Sequence, residues 1–266
     1  MTDAPPQDFH GCRHRARTAG PFTLSQWTAN RLPPQGNHFH EQAHFLFVTS
    51  GRYVNTADES CCLHYHPAQT EHADHLHDGR GSFVAISMTP MEYESDVDRE
   101  LPQAAAPVRG TRAFMAGVRL TRALIENEGG PFILEALCFE LIEANSSRST
   151  RAESGQAPWL KHAREQLSEP ISQPRSLDEL CRSLGIHPVH LTRCFRRAYG
   201  CTPAEYARAV RLRAATDRIT NGRESLKEIA TAFGFFDQSH LTNLVRRAYG
   251  MTPAQLRAST LTPADV

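Results

Sequence analysis

Three histidines fall within seven residues, His38-x-His40-x3-His44, and His72 follows a proline turn at Pro67. A strand sends alternate side chains to one face, so positions 38, 40 and 44 share a side. Four imidazoles on one pocket suit a divalent metal, zinc first, with copper or nickel as alternatives, because imidazole is a borderline ligand. With no carboxylate in the set, the ion would keep its full charge, which suits an anionic ligand or a structural ion. The competing reading is that these rings only hydrogen-bond within the fold. His64, His66, His75 and His77 are less well placed and read as surface or supporting residues.

A different chemistry stands at the other end. HLTRCFRRAYGCTPA (190–204) matches HLTNLVRRAYGMTPA (240–254) at 11 of 15 positions, offset by 50. Upstream, SLDELCRSLGI (176–186) aligns with SLKEIATAFGF (225–235), offset by 49. Each unit reads as a helix, a short turn at Gly185 or Gly234, a second helix and a Tyr-Gly exit, which is the pattern of a helix-turn-helix. Such a unit lays its second helix in the major groove, and a rigid connecting helix over 203–220 would put two units in successive grooves on one face of a duplex. Arg196, Arg197, Arg246 and Arg247 are placed to neutralise phosphates or to cover the core with their stems. A plain helical bundle is the competing reading, but it needs neither a glycine at both turns nor the charge described next.

The formal net charge of zero conceals two halves. Residues 157–260 hold 16 Lys+Arg against 9 Asp+Glu, a surplus of +7, and the rest carries the balancing −7. A basic half joined to an acidic one points to one part that meets a polyanion and one that does not. The histidines divide the other way, with 10 of 14 in the first 77 residues. Seven scattered cysteines, odd in number, argue against a disulfide framework and read as small buried hydrophobes with a few exposed thiols. No apolar run approaches the roughly 20 residues that span a bilayer, and the first residues lack the apolar core of a secretory signal. The expectation is a cytoplasmic protein.

The elements that must position these groups follow from pattern. From about 22 to 93 the chain reads as short strands (AHFLFVTSGRYV, CCLHYHPAQTEH, GSFVAISM), which favours a sandwich or small barrel filled by Phe39, Phe45 and Phe47. A polar connection over 97–108 follows. Helices are expected over 111–145, broken at Gly129-Gly130 and reopened by Pro131, then a polar linker over 145–156. Everything beyond reads as helical, with capping boxes at Thr202/Glu205 and Thr252/Gln255.

Residues 157–258 resemble the DNA-binding domain of AraC/XylS-family regulators, and GFFDQSHLTNLVRRAYGMTPAQLR is similar to that family's signature along its whole length. The resemblance places base-reading positions on Val189, Thr192 and Arg193 in the first unit and on Gln238, Ser239, Thr242 and Asn243 in the second. Arg196 and Arg246 are added as phosphate contacts. Arginine can hold guanine O6 and N7 together, and glutamine can do the same for adenine. Asn243 stands where the family usually has arginine. For Val189, contact with a thymine methyl or with neighbouring side chains is an equal reading, and His190 and His240 read as packing or phosphate contacts.

Residues 30–90 resemble a cupin barrel, with His44 where many cupins have glutamate and Gln69 where they have glycine. The resulting expectation is an α+β chain. A cupin-like sensory β-barrel occupies 1–110, a helical dimerisation segment and linker 111–156, and an all-α tandem helix-turn-helix 157–260. Such a protein would bind operator DNA as a homodimer, respond to a small molecule or metal, and meet RNA polymerase if it activates. It would have no membrane partner. The alternatives are a cupin-type metalloenzyme fused to a DNA-binding domain, which the missing carboxylate disfavours, and a fused DNA-repair methyltransferase, whose reactive-cysteine site has no counterpart here.

Overall fold

A computed structural model of the chain describes residues 9, 11–29, 38–51, 53–54, 61–72, 75–76, 79, 81–89, 101–127, 129–145, 156–169 and 176–258. The amino-terminal part is built on strands β1 (Gly11–Ala19), β2 (Phe22–Ala29), β3 (Ala43–Ser50), β4 (Tyr53–Val54), β5 (Leu63–His66), β6 (His75–Leu76), β7 (Ser82–Met88) and β8 (Ala106–Pro107). Six of them pair antiparallel in the order β1-β2-β7-β3-β5-β8, and β4 pairs with β6 alone. The expected barrel is therefore not closed among the described residues: β1 and β8 stand at opposite edges of an open sheet.

β3 is nearly continuous in apolar residues because both faces of the sheet are covered. Phe45 and Phe47, with Leu63 and Tyr65 of β5, join one core, whereas Leu46 and Val48 join Trp27, Tyr53, Leu76 and Phe83 on the other face. Strand alternation puts His44, His64 and His66 on this second face. Phe39 departs from expectation: it is 57% exposed, because residues 39 and 40 lie outside any strand and the side chain points away from both cores.

Helix α1 (Thr111–Glu126) and helix α2 (Pro131–Asn145) cover the first face. Gly117 lets α1 approach so closely that a Cβ there would lie 2.7 Å from the Phe47 ring. β1 escaped the sequence reading because GCRHRARTA is too polar to look like a strand. It holds an edge instead, where Arg15 donates to the Ile125 carbonyl and Arg17 to those of Ala123 (3.3 Å) and Gly129 (2.8 Å). Cations suit that place, the negative end of α1.

The carboxy-terminal helices are α3 (Pro158–Ser168), α4 (Leu177–Leu184), α5 (Pro188–Tyr199), α6 (Pro203–Asn221), α7 (Leu226–Ala232), α8 (Gln238–Tyr249) and α9 (Pro253–Ala258). Both expected capping boxes form, and Ser176/Glu179 and Ser225/Glu228 add two more at the starts of α4 and α7. Two separate cores result. Leu180, Leu191, Phe195, Tyr199 and Tyr206 gather in the first, with Met115 of α1; Ile219, Ile229, Leu241, Val245 and Leu256 gather in the second. Most of the linker expected over 145–156 lies outside the described residues, as does His77. Among the described residues no helix is long and apolar enough to cross a membrane.

Candidate nucleic-acid interface and histidine cluster

Two helix pairs, α4–α5 and α7–α8, share one design. Gly185 and Gly234 take positive φ (65° and 67°) at the turns, where the amides of Ile186 and Phe235 reach back to the carbonyls of Cys181 and Ala230. On α5 the buried residues are Leu191, Phe195 and Tyr199, and on α8 they are Leu241, Val245 and Tyr249. This spacing of four commits one face of each second helix to its core. Residues 191–200 and 241–250 show the same sequence of buried, half-buried and exposed positions throughout.

The opposite faces carry the sequence-predicted residues. Val189 is 68% exposed, Arg193 and Arg196 are exposed, and Thr192 is half-buried between them. These four, with Pro188 and Arg197, line one shallow depression. On α8, Gln238, Ser239, Asn243 and Arg246 are exposed and Thr242 is half-buried. His190 packs near Trp159 and lies 3.4 Å from the Arg193 guanidinium, whereas His240 accepts from the Phe236 amide at 3.4 Å.

The units differ at one residue that the sequence reading passed over. Their offset is 49 before the turn and 50 after it, so the second turn contains one extra residue, Phe236. It is 91% exposed, immediately before the helix-capping Asp237, whose carboxylate accepts from the His240 amide at 2.6 Å. The change of offset is the signal that could have singled it out.

The sheet-and-helix body grips both second helices at their carboxy-terminal ends. Arg112 donates to the carbonyls of Ala198 (3.1 Å) and Arg197 (3.3 Å), and Gln26 donates to that of Tyr249 at 2.7 Å. Between the body and the helices lies a cavity of about 420 Å³ lined by Phe47, Phe114, Arg119, Arg196, Leu244 and Arg247 among others.

Along the same boundary, Arg213 donates to the Val48 carbonyl (3.5 Å) and lies 4.0 Å from Asp217. Burial raises the Asp217 carboxyl from 3.8 to about 6, with Arg213 only partly opposing it. The folded chain then holds a proton there between about pH 4 and 6 that the unfolded chain releases, so this group's contribution to stability declines as pH rises through 6. Asp217→Asn is expected to gain thermal stability relative to the parent on going from pH 4.5 to 7.5. Parallel melting temperatures across that range would refute the assignment.

The histidines gather, but not as the four expected. His38, His40 and His72 form one group and His44, His66 and His72 another; within each, one ring nitrogen per residue lies within 4.8 Å of the others. His64 and His66, read as peripheral from sequence, are 1% and 0% exposed. The register explains it: His44 stands directly opposite His66 across β3 and β5, with rings stacked at 4.9 Å, and His72 is bridged to His38. Burial first, and neighbouring rings second, hold His44 and His66 well below the usual imidazole range, so both rings are neutral. Gln69 occupies φ 55°, in the left-handed region that favours glycine.

Among protein families, a helix-turn-helix domain model matches residues 180–259. No curated protein matches the chain. Among solved structures, the carboxy-terminal domain of AraT, a response regulator from Geobacillus stearothermophilus, is similar at 22% identity over 40% of this chain and 90% of that one (TM-score 0.38). An AraC-type transcriptional regulator from Chromobacterium violaceum is 27% identical over 40% of this chain and 95% of its own (TM-score 0.37). ToxT from Vibrio cholerae spans 93% of this chain and 100% of its own at 10% identity (TM-score 0.37). With the repeat, the two glycine turns and the matching family model together, residues 180–259 are an AraC-type helix-turn-helix domain of a DNA-binding transcription regulator.

Proposed function

We propose that the chain reads an operator through both helix-turn-helix units and responds to a small ligand or metal held by its amino-terminal histidines. In the first unit Val189, Thr192 and Arg193 meet base edges, with Arg196 on phosphate. In the second, Gln238, Ser239, Thr242 and Asn243 do so, with Arg246 on phosphate. The observation that carries this reading is the repeated exposure pattern, which leaves these side chains outside two otherwise closed cores. The buried histidine cluster, which the sequence marks through His38, His40, His44 and His72, would hold a divalent ion, zinc first, which would supply charge and a coordination site. An effector there would act by changing how α1 and α2 pair two subunits, and RNA polymerase is the further partner if the protein activates.

The test is selection of bound duplexes from a random pool by the full chain, followed by salt titration. A defined site whose affinity falls steeply with salt is expected; a flat preference across sequences would reject operator reading. Phe236 adds a sharper expectation. Beside Gln238 it is placed for apolar contact with a thymine methyl, so replacing that thymine by deoxyuridine in the selected duplex weakens the parent several-fold but leaves Phe236→Ala unaffected. Equal loss in both proteins would show that the ring does not touch the methyl.

A further inference from the structure

Resting on the reading that the histidine cluster holds a metal, we infer that the ion sits on the buried triad His44, His66 and His72, with His66 as a ligand, and that one chain takes one ion. Metal-binding imidazoles are oriented by a hydrogen bond from the second ring nitrogen, which fixes the tautomer and aims the lone pair. The buried triad has this arrangement at every member. His44 Nδ1–H donates to the Gln42 carbonyl (3.3 Å) and His72 Nδ1–H to that of Thr70 (2.8 Å), which leaves Nε2 as the ligating atom of each. His66 Nε2 is hydrogen-bonded to the Tyr53 hydroxyl at 2.9 Å, which assigns its Nδ1 to the ion. Nε2 of His44, a residue 1% exposed, is buried and has no hydrogen-bond partner. An orphaned ring nitrogen in that position carries a desolvation cost that coordination removes.

One ring nitrogen from each of the three residues lies within 4.8 Å of those of the other two. Small side-chain rotations bring them onto one zinc with bonds of about 2.0–2.1 Å. The outer group, His38 and His40 with His72, is half-exposed at its first two members. Because His72 commits Nδ1 to Thr70, it offers a single nitrogen, and the two groups compete for it. That competition sets the stoichiometry at one. His64 supports the arrangement from behind: its Nε2–H donates to the Cys61 carbonyl (3.0 Å) and its ring packs 4.2 Å from that of Tyr53.

The experiment loads the full chain with zinc after chelator treatment, counts zinc per chain by mass spectrometry, and records visible absorption with cobalt in its place. The expected result is one ion in the parent and in His38→Gln, and none in His66→Gln with its circular dichroism unchanged. Tyr53→Phe should keep the stoichiometry with affinity about 10–100-fold weaker, as loss of a ligand-orienting bond does. Ion lost in His38→Gln but kept in His66→Gln would overturn the triad and leave metal binding standing. Two ions per chain would overturn the shared His72, and no ion in the parent would overturn the underlying reading. Should His66→Gln fail to fold, Tyr53→Phe decides, and unchanged affinity there rejects His66 as a ligand.

Discussion

Phe195→Ala is expected to destabilise the first helix-turn-helix unit by about 3–5 kcal/mol while leaving the second folded. The side chain is fully buried, its ring lies 4.5 Å from that of Tyr199 and 5.8 Å from that of Tyr206, and it sits at the centre of the core that also holds Leu180 and Leu191. Truncation removes the transfer free energy of a phenyl group and leaves a cavity that rigid helices fill poorly. The second unit places Val245 at the equivalent position, so Val245→Ala removes less volume and costs less. Because the two cores share no buried residue, the loss stays local. Amide hydrogen exchange over α5 and α8 reads both units at once. Accelerated exchange in α5 alone is expected for Phe195→Ala; equal acceleration in α8 would mean that the two cores act as one.

Arg193→Ala should weaken specific DNA binding by about 1–3 kcal/mol, roughly 5- to 150-fold, and relax the choice at one base pair. Arg193 is exposed on α5 beside Val189 and Thr192, with no carboxylate partner to divert it among the described residues. The equivalent residue of α8 is Asn243, whose shorter amide suits adenine better than guanine. The two substitutions should therefore relax different base preferences, guanine for Arg193→Ala and adenine for Asn243→Ala. Affinities for duplexes carrying each of the four bases at the contacted pair decide it. A uniform loss across all four would demote Arg193 to a phosphate contact.

Much of the helical half could be read in advance because its signals are local. Glycines at both turns, threonine–proline starts and an apolar spacing of four each act within a few residues, and a repeat states them twice. The strands were harder. β1 carries arginines on an edge and owes its place to the carbonyls at the end of α1, more than 100 residues away. Whether the sheet closed depended on pairings between segments distant in sequence, and no local pattern encodes them. The same limit hid His66. His38, His40 and His44 announce themselves by proximity, whereas His66 reaches the cluster only through the register that sets it opposite His44. Phe236 was concealed in a different way, by an alignment that absorbed it as a shift of one.

The bonds from Arg112 and Gln26 to the last turns of α5 and α8 have a thermodynamic consequence. Both second helices are tied to the body that contains the histidines, so a duplex on the helices and a ligand of that body would act on one conformational equilibrium. Linkage is reciprocal: any factor by which an effector changes operator affinity is the factor by which the operator changes effector affinity. A duplex would in that sense be as much an effector of the histidine pocket as a ligand of that pocket would be of the duplex.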